Sequence, residues 1–198
     1  MPNVSNVKAK FFEPDGVDND QVSATGTATT LVIADGGPYG NLTETITLFS
    51  SADNRGNDFT ITGTDGNGDA QTEVLTGPNS ASTVNSVNKY ATITSIVSDG
   101  AIATDIQAGI LGTGALTGIV FAGRTRIRGI TGTSKASAGN IVFKNTSITG
   151  TSLLTIPLTG AVSSIDPYIP DNGVLFDAGA YINLTAADVT GVTVYYDG

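Results

Sequence analysis

An all-β fold follows from three features of this sequence. Thr, Val and Ile recur in short alternating runs, and branched side chains suit a pleated, half-buried surface. Twenty-five glycines and seven prolines punctuate those runs, at the spacing of roughly ten residues that sandwiches and jelly rolls show. Charged residues make up only 14% of the 198, against about 25% in ordinary globular domains. No amphipathic helix of three turns is legible, although residues 186–189 could form a single turn.

Residues 21–34 read as one or two strands ending at the breaker cluster Asp35-Gly36-Gly37-Pro38. In residues 41–50, Leu42, Glu44, Ile46 and Leu48 share one face, and Thr43, Thr45, Thr47 and Phe49 the other. Residues 58–64 alternate in the same way. After the turn Asp65-Gly66-Asn67-Gly68-Asp69, residues 71–75 return as the second strand of a hairpin. Asn-Gly between two β-prone runs predicts a type I′ turn, because both residues accept positive φ. The Gly77-Pro78-Asn79 break leads into an ambiguous stretch up to Tyr90. Residues 91–98 and 101–108 read as a second strand pair across Asp99-Gly100. Six further strands follow, at 119–129, 139–145, 153–158, 173–176, 180–184 and 192–196.

The expected organisation is two small β-sandwich or jelly-roll-like units joined by a Gly-rich linker. Residues 1–20 form an extended amino-terminal arm, 21–111 an acidic β-domain and 119–198 a β-sandwich domain, with the linker at 112–118 (GTGALTG). Charge supports the division. Thirteen acidic and four basic residues lie up to Gly118, and five of each lie beyond it, so the whole net charge of −9 belongs to the first part.

Composition also narrows function. The chain has no His, Cys or Trp, which excludes Ser-His-Asp and Cys-His nucleophile systems, ordinary zinc sites and disulfides. A carboxylate-pair glycosidase would lack the Trp that usually stacks on sugars. The expectation is therefore no enzyme, no catalytic residue, no cofactor and no metal. A net charge of −9 argues against nucleic-acid binding. No apolar run reaches the roughly 20 residues of a membrane helix. The amino terminus lacks a basic n-region and an apolar h-region, so synthesis in a cytoplasm is expected.

Three segments could carry chemistry. Asp65-Gly66-Asn67-Gly68-Asp69 begins like a calcium loop but has Ala70 and Thr76 where an EF-hand needs Gly and Glu; it reads as a hairpin turn. Glu13, Asp15, Asp18 and Asp20 form an acidic cluster, which reads as a solvated loop, a calcium site or a docking segment for a basic surface. Phe11 and Phe12, just upstream, read as anchors of that segment. Arg124, Arg126 and Arg128 alternate with Thr125 and Ile127, so a strand would line three guanidinium groups on one face. Like charges so placed either meet the carboxylates of another subunit, conceivably the acidic part of a second copy, or blunt an exposed edge. The candidate partner contacts are Phe11, Phe12, Glu13, Asp15, Arg124, Arg126 and Arg128.

Across residues 59–100 the order of a strand, an NG hairpin, a TGPN turn and the strand YATITSI resembles a recurring segment of small structural proteins of tailed bacteriophages. The carboxy-terminal part, with GRTRIRGI, LLTIPL and NGVLFDAGAYINLTAADVTGVTVYYDG, is similar to another phage virion pattern. Together they cover about two thirds of the chain. The resemblance implies a virion component with no catalytic residues to carry over. At this size, and without a coiled-coil or repetitive shaft, the chain resembles a capsid decoration or cement protein. Such a protein binds the outer shell, bridges capsid subunits and stabilises them against internal DNA pressure. The implied partners are the major capsid protein and other copies of the chain, as a homo-oligomer, commonly a trimer; the implied location is the capsid surface of the virion. The alternative is a tail- or fibre-associated β-sandwich serving tail assembly or host-surface glycan recognition, for which the loop Tyr168-Ile169-Pro170-Asp171-Asn172 is the candidate.

Overall fold

The computed structural model describes residues 6–26, 28–103 and 105–198. Among the described residues there is no helix, and the strands run in the order β1 (Val7–Phe12), β2 (Asp18–Gly26), β3 (Glu44–Ser50), β4 (Asp58–Thr64), β5 (Ala70–Thr76), β6 (Ser82–Tyr90), β7 (Thr92–Ser98) and β8 (Ile106–Ile110). They continue as β9 (Ala115–Phe121), β10 (Thr125–Ser134), β11 (Ala138–Asn145), β12 (Ser152–Thr159), β13 (Ser164–Ile165), β14 (Val174–Phe176), β15 (Ala180–Thr185) and β16 (Val189–Asp197). The all-β expectation holds. The candidate helical turn at residues 186–189 is a hydrogen-bonded turn, with the Asp188 amide donating to the Thr185 carbonyl.

Two compact units each enclose their own core. The carboxy-terminal unit comprises residues 6–14, Gly40–Leu42 and Gly114–Gly198. One of its sheets runs β1-β16-β10, with β13 and β14 both pairing to β10; the other runs β12-β11-β15-β9. Ile127, Ile130, Val192, Val194 and Phe176 from the first sheet meet Leu116, Ile141, Phe143, Ile182 and Leu184 from the second. Strand alternation puts these residues on the inner faces of a sandwich.

The acidic unit comprises Asp15–Tyr39 and Thr43–Thr113. Its sheets run β2-β8-β3-β6 and β5-β4-β7. Val22, Ile46, Leu48, Ile106 and Ile110 pack with Phe59, Ile61, Ile93 and Ile96. Ile46 and Leu48 lie on the face that alternation assigns them, and Glu44, in phase with both, is fully buried.

Several boundaries differ from those the sequence predicts. Residues 1–5 of the expected arm lie outside the described residues. From Val7 onward the segment is no arm: β1 pairs antiparallel with β16 from Val7 opposite Asp197 to Phe12 opposite Val192. Residues 15–20 belong to the acidic unit. The expected linker is largely strand, since β9 begins at Ala115 and pairs with β15. Leu116 and Val120 continue a strand alternation into the core. Gly118 between them serves close approach, because a Cβ there would stand 2.4 Å from the Asn41 carbonyl oxygen and 3.0 Å from the Phe12 ring.

The strand expected at 119–129 breaks at Ala122-Gly123-Arg124, and its halves, β9 and β10, enter different sheets. Residues 91–98 and 101–108 form no hairpin. β7 pairs with β4, whereas β8 pairs with β2 and β3. The connection is held by local bonds instead: the Asp99 carboxylate accepts from the Asp58 amide at 2.8 Å and Ser98 Oγ donates to the Gly100 carbonyl at 2.9 Å.

The expected β4–β5 hairpin forms, but its turn is not type I′ and its register, with Thr64 opposite Ala70, differs by one residue from the one that such a turn at Asn67-Gly68 would set. Asp65 and Asp69 flank a three-residue loop in which only Gly68 takes positive φ, at 89°. The cause is Asp65, whose Oδ1 accepts from the amides of Asn67 at 2.8 Å and Asp69 at 3.0 Å. That arrangement favours a turn closed by a left-handed glycine.

Candidate partner-binding surface

The outer face of the β1-β16-β10 sheet gathers exposed aromatic and basic side chains. In the β1–β16 ladder Phe12 faces Val192 and Phe11 faces Thr193. Alternation sends Phe12 and Val192 into the core and leaves Phe11 outside, 48% exposed. Tyr195 stands on the same outer face, paired with Ala9 and Gly129 and 36% exposed. Both rings lie over glycines. A Cβ on Gly191 would come within 2.6 Å of the Phe11 ring, and one on Gly129 within 3.4 Å of the Tyr195 ring. Glycine in a strand leaves backbone uncovered, and an aromatic ring laid across it restores that cover.

The arginines lie toward the Asp197 end of the same sheet, beyond Tyr195 from Phe11. Thr125 and Ile127 are buried while Arg124 and Arg128 are exposed and Arg126 is half-buried, so the alternation read from the sequence is present. A bulge between Ile127 and Gly129 places Arg128 as the extra residue. Arg126 Nη1 donates to the Asn172 carbonyl at 3.1 Å. Arg124 lies 3.6 Å from Asp177 and Arg128 3.6 Å from Asp197. Exposed pairs at that distance are weak, so the three guanidinium groups retain most of their capacity for a partner's carboxylates. An open cleft of about 280 Å³ is lined by Arg124, Thr125, Arg126, Leu175, Asp197 and Gly198.

Two lysines on β1 take the opposite side. Lys10 Nζ donates to the Ile119 carbonyl at 2.7 Å and sits 5.5 Å from the Phe12 ring centroid, and Lys8 Nζ lies 5.7 Å from the Phe121 centroid. Burial holds the Lys10 ammonium below its ordinary pKa. Inward-pointing charges on an edge strand oppose strand addition. The unit is therefore better suited to docking through its sheet face than along the β1 edge.

The seven residues singled out in the sequence thus separate. Phe11 and Arg126 share the outer face of the sheet but stand four β16 positions apart, opposite Thr193 and Asp197, and Arg124 precedes β10. Phe12 anchors the core and cannot touch a partner. Glu13 ends β1 in the same unit, exposed, its amide donating to the Gly40 carbonyl at 3.0 Å. Asp15 belongs to the acidic unit, where its carboxylate accepts from Gln21 Nε2 and the Gly16 amide, both at 3.0 Å. Tyr195 was not singled out. The adjacent pair Tyr195-Tyr196 in a strand was its signal, since one of two successive residues must face outward; Tyr196 turns inward to Phe121, with centroids 5.9 Å apart.

The charge division is sharper than the linear sequence shows. The carboxy-terminal unit holds seven basic and six acidic residues, and the acidic unit two and twelve. Lys8 and Lys10 change sides because β1 joins β16. Within the acidic unit, Arg55 beside Asp53 at 2.7 Å holds that carboxyl down to about 2. Glu44 is the opposite case. Its two carboxylate oxygens are sealed from solvent without a hydrogen-bond partner. Burial pushes it up to about 7, assisted by Asp15 and opposed by Lys89 and by the nearby Gly112 and Thr45 amides. Among the described residues no three acidic side chains gather as a cation site. No protein-family model matches this chain, and no curated protein matches it.

Proposed function

We propose that this chain is a bacteriophage virion structural protein that decorates the outer capsid shell and cements neighbouring capsid subunits. The observation that supports it is the outer face of the β1-β16-β10 sheet, which carries exposed Phe11 and Tyr195, with Arg126 and Arg128 toward its Asp197 end and Arg124 just before β10. Aromatic and Arg side chains are the types that dominate protein interfaces. A fixed sheet face offers them without the ordering cost of a loop. The phage-like strand and turn patterns supply the class of partner, the major capsid protein. Repeated copies, as trimers, would add avidity to a modest single contact.

The test is copy number in purified virions, by quantitative mass spectrometry against the major shell protein. One copy per shell subunit, or one trimer per local threefold, is the expected result. A count of about a dozen would overturn it in favour of a tail or fibre protein; Tyr168, 86% exposed, is the feature that favours that second reading. Arg124, Arg126 and Arg128 changed together to Ser should leave the melting profile intact and weaken particle binding in a salt-dependent way. Unchanged binding would remove the surface from the proposal.

A further inference from the structure

The second sheet of the carboxy-terminal unit opens into a groove that the outer face of the first does not involve. The β11–β15 ladder ends at Val142 opposite Asn183, whereas β11 runs on to Ala138 and β15 to Thr185. Where the two strands part, a groove of about 540 Å³ forms, with Ala115, Ala138, Val142, Leu184 and Ala187 supplying apolar wall. Among the described residues no strand pairs with β11 on this side from Ala138 to Ile141.

One carboxylate in the groove lacks a donor. Asp188 is 5% exposed, yet its carboxylate has no ion pair or hydrogen bond among the described residues. It lies directly over Gly139, where a Cβ would come within 2 Å of the carboxylate. Lys135 is the nearby cation, but its Nζ donates to the Ala186 carbonyl at 2.8 Å. Asn183 gives its Nδ2 to the Ile148 carbonyl at 3.3 Å and leaves Oδ1 unpartnered. That oxygen is sealed from solvent and out of a ligand's reach, so Asp188 is the group that a cation in the groove would meet. A buried carboxylate without a counter-charge is costly.

We infer that this groove binds a lysine side chain carried on an extended segment of a partner protein. The four-carbon stem matches the Ala, Val and Leu walls, and the ammonium brings three donors and one positive charge to a carboxylate that has neither. A guanidinium would need a planar carboxylate fork free on both oxygens, which the Gly139 side of Asp188 restricts. The free side of β11 lets the segment's backbone add main-chain hydrogen bonds beside the anchored side chain. A sugar would meet apolar walls with no aromatic platform among the lining residues.

The experiment is an NMR titration of the ¹⁵N-labelled full chain with an acetylated, amidated Val-Lys-Val tripeptide, its norleucine counterpart and n-butylamine. The lysine peptide should shift the Gly139 and Asn140 amides and the Asn183 side-chain amide, saturating near about 1 mM. It should bind roughly tenfold more tightly than either control. Asp188→Asn, if its amide spectrum remains that of the folded chain, should lose that advantage. Equal shifts from the norleucine peptide would overturn the ammonium assignment. Equal affinity for n-butylamine would overturn the strand-borne source. An absence of saturable shifts at about 50 mM would overturn both.

Discussion

Replacing Glu44 by Gln should stabilise the acidic unit at neutral pH and do almost nothing in acid. Glu44 stands in phase with Ile46 and Leu48 on β3, and alternation carries it into the interior with them. Its folded-state pKa is pushed up to about 7 from an ordinary value of 4.5, chiefly by burial. An acid with a raised folded pKa contributes its full stability below the unfolded value and loses it as pH rises through the folded one. At 1.36 kcal/mol per pH unit, the window from 4.5 to about 7 corresponds to roughly 3 kcal/mol. Gln has the shape of the protonated acid and does not titrate. The difference between variant and wild type should therefore be near zero at pH 4 and grow to about 3 kcal/mol in the variant's favour at pH 8. Lys89 loses an attractive neighbour in the variant, but it is only half-buried and water can solvate it. Urea unfolding followed by far-UV circular dichroism, at steps from pH 4 to 8, reads the effect. The other carboxylates cancel in the difference between the two proteins. A difference independent of pH would refute the reasoning, and one that favours wild type at pH 8 would show that Lys89 and the Gly112 amide hold the ionised form.

The neighbouring phenylalanines of β1 should behave in opposite ways. Phe12→Ala should destabilise the carboxy-terminal unit by about 3–5 kcal/mol, as expected of a fully buried aromatic. Phe11→Ala should fall within about 1 kcal/mol of wild type in a urea melt while reducing particle binding; similar melts for both would contradict the alternation of β1. At the hairpin turn, Asp65→Ala removes the acceptor of the Asn67 and Asp69 amides and should cost about 1–2 kcal/mol. Gly68→Val, which forces a branched residue to φ 89°, should cost as much or more. Hydrogen exchange of the Thr64 and Ala70 amides checks both variants, and unchanged protection would count against the role assigned to the turn.

The strands were legible because their signal is local. Phe59, Ile61 and Gly63 alternating with threonines state a half-buried strand wherever that segment ends up, and Asp-Gly-Asn-Gly-Asp states a reversal. The arginines were legible for the same reason, since period two needs no knowledge of the partner strand. Glu44 was visible as an acid in phase with Ile46 and Leu48, but its burial is set by segments distant in sequence, with Asp15, Lys89 and Gly112 among its neighbours. Residues 112–118 misled because glycine spells flexibility in a linker and close approach in a strand with the same letters. Gly118 lies against the Asn41 carbonyl and Phe12, neither of which is near it in sequence.

By itself the sequence determined the all-β class, the absence of His and Cys chemistry, the β4–β5 hairpin and the outward set of the three arginines. Each rests on composition or on contacts a few residues apart. Only the tertiary structure decided which strands pair, and from that came the rest. The pairing of β1 with β16 turns a presumed arm into part of a sandwich, buries Phe12, exposes Phe11 beside Tyr195 and moves Lys8 and Lys10 into the carboxy-terminal unit. The early end of the β11–β15 ladder opens the groove at Asp188. Strand pairing joins residues more than a hundred positions apart, and the hydrogen bonds that make it are backbone bonds common to every sequence. Partner choice is therefore settled by which faces bury together, a property of the whole chain rather than of any segment.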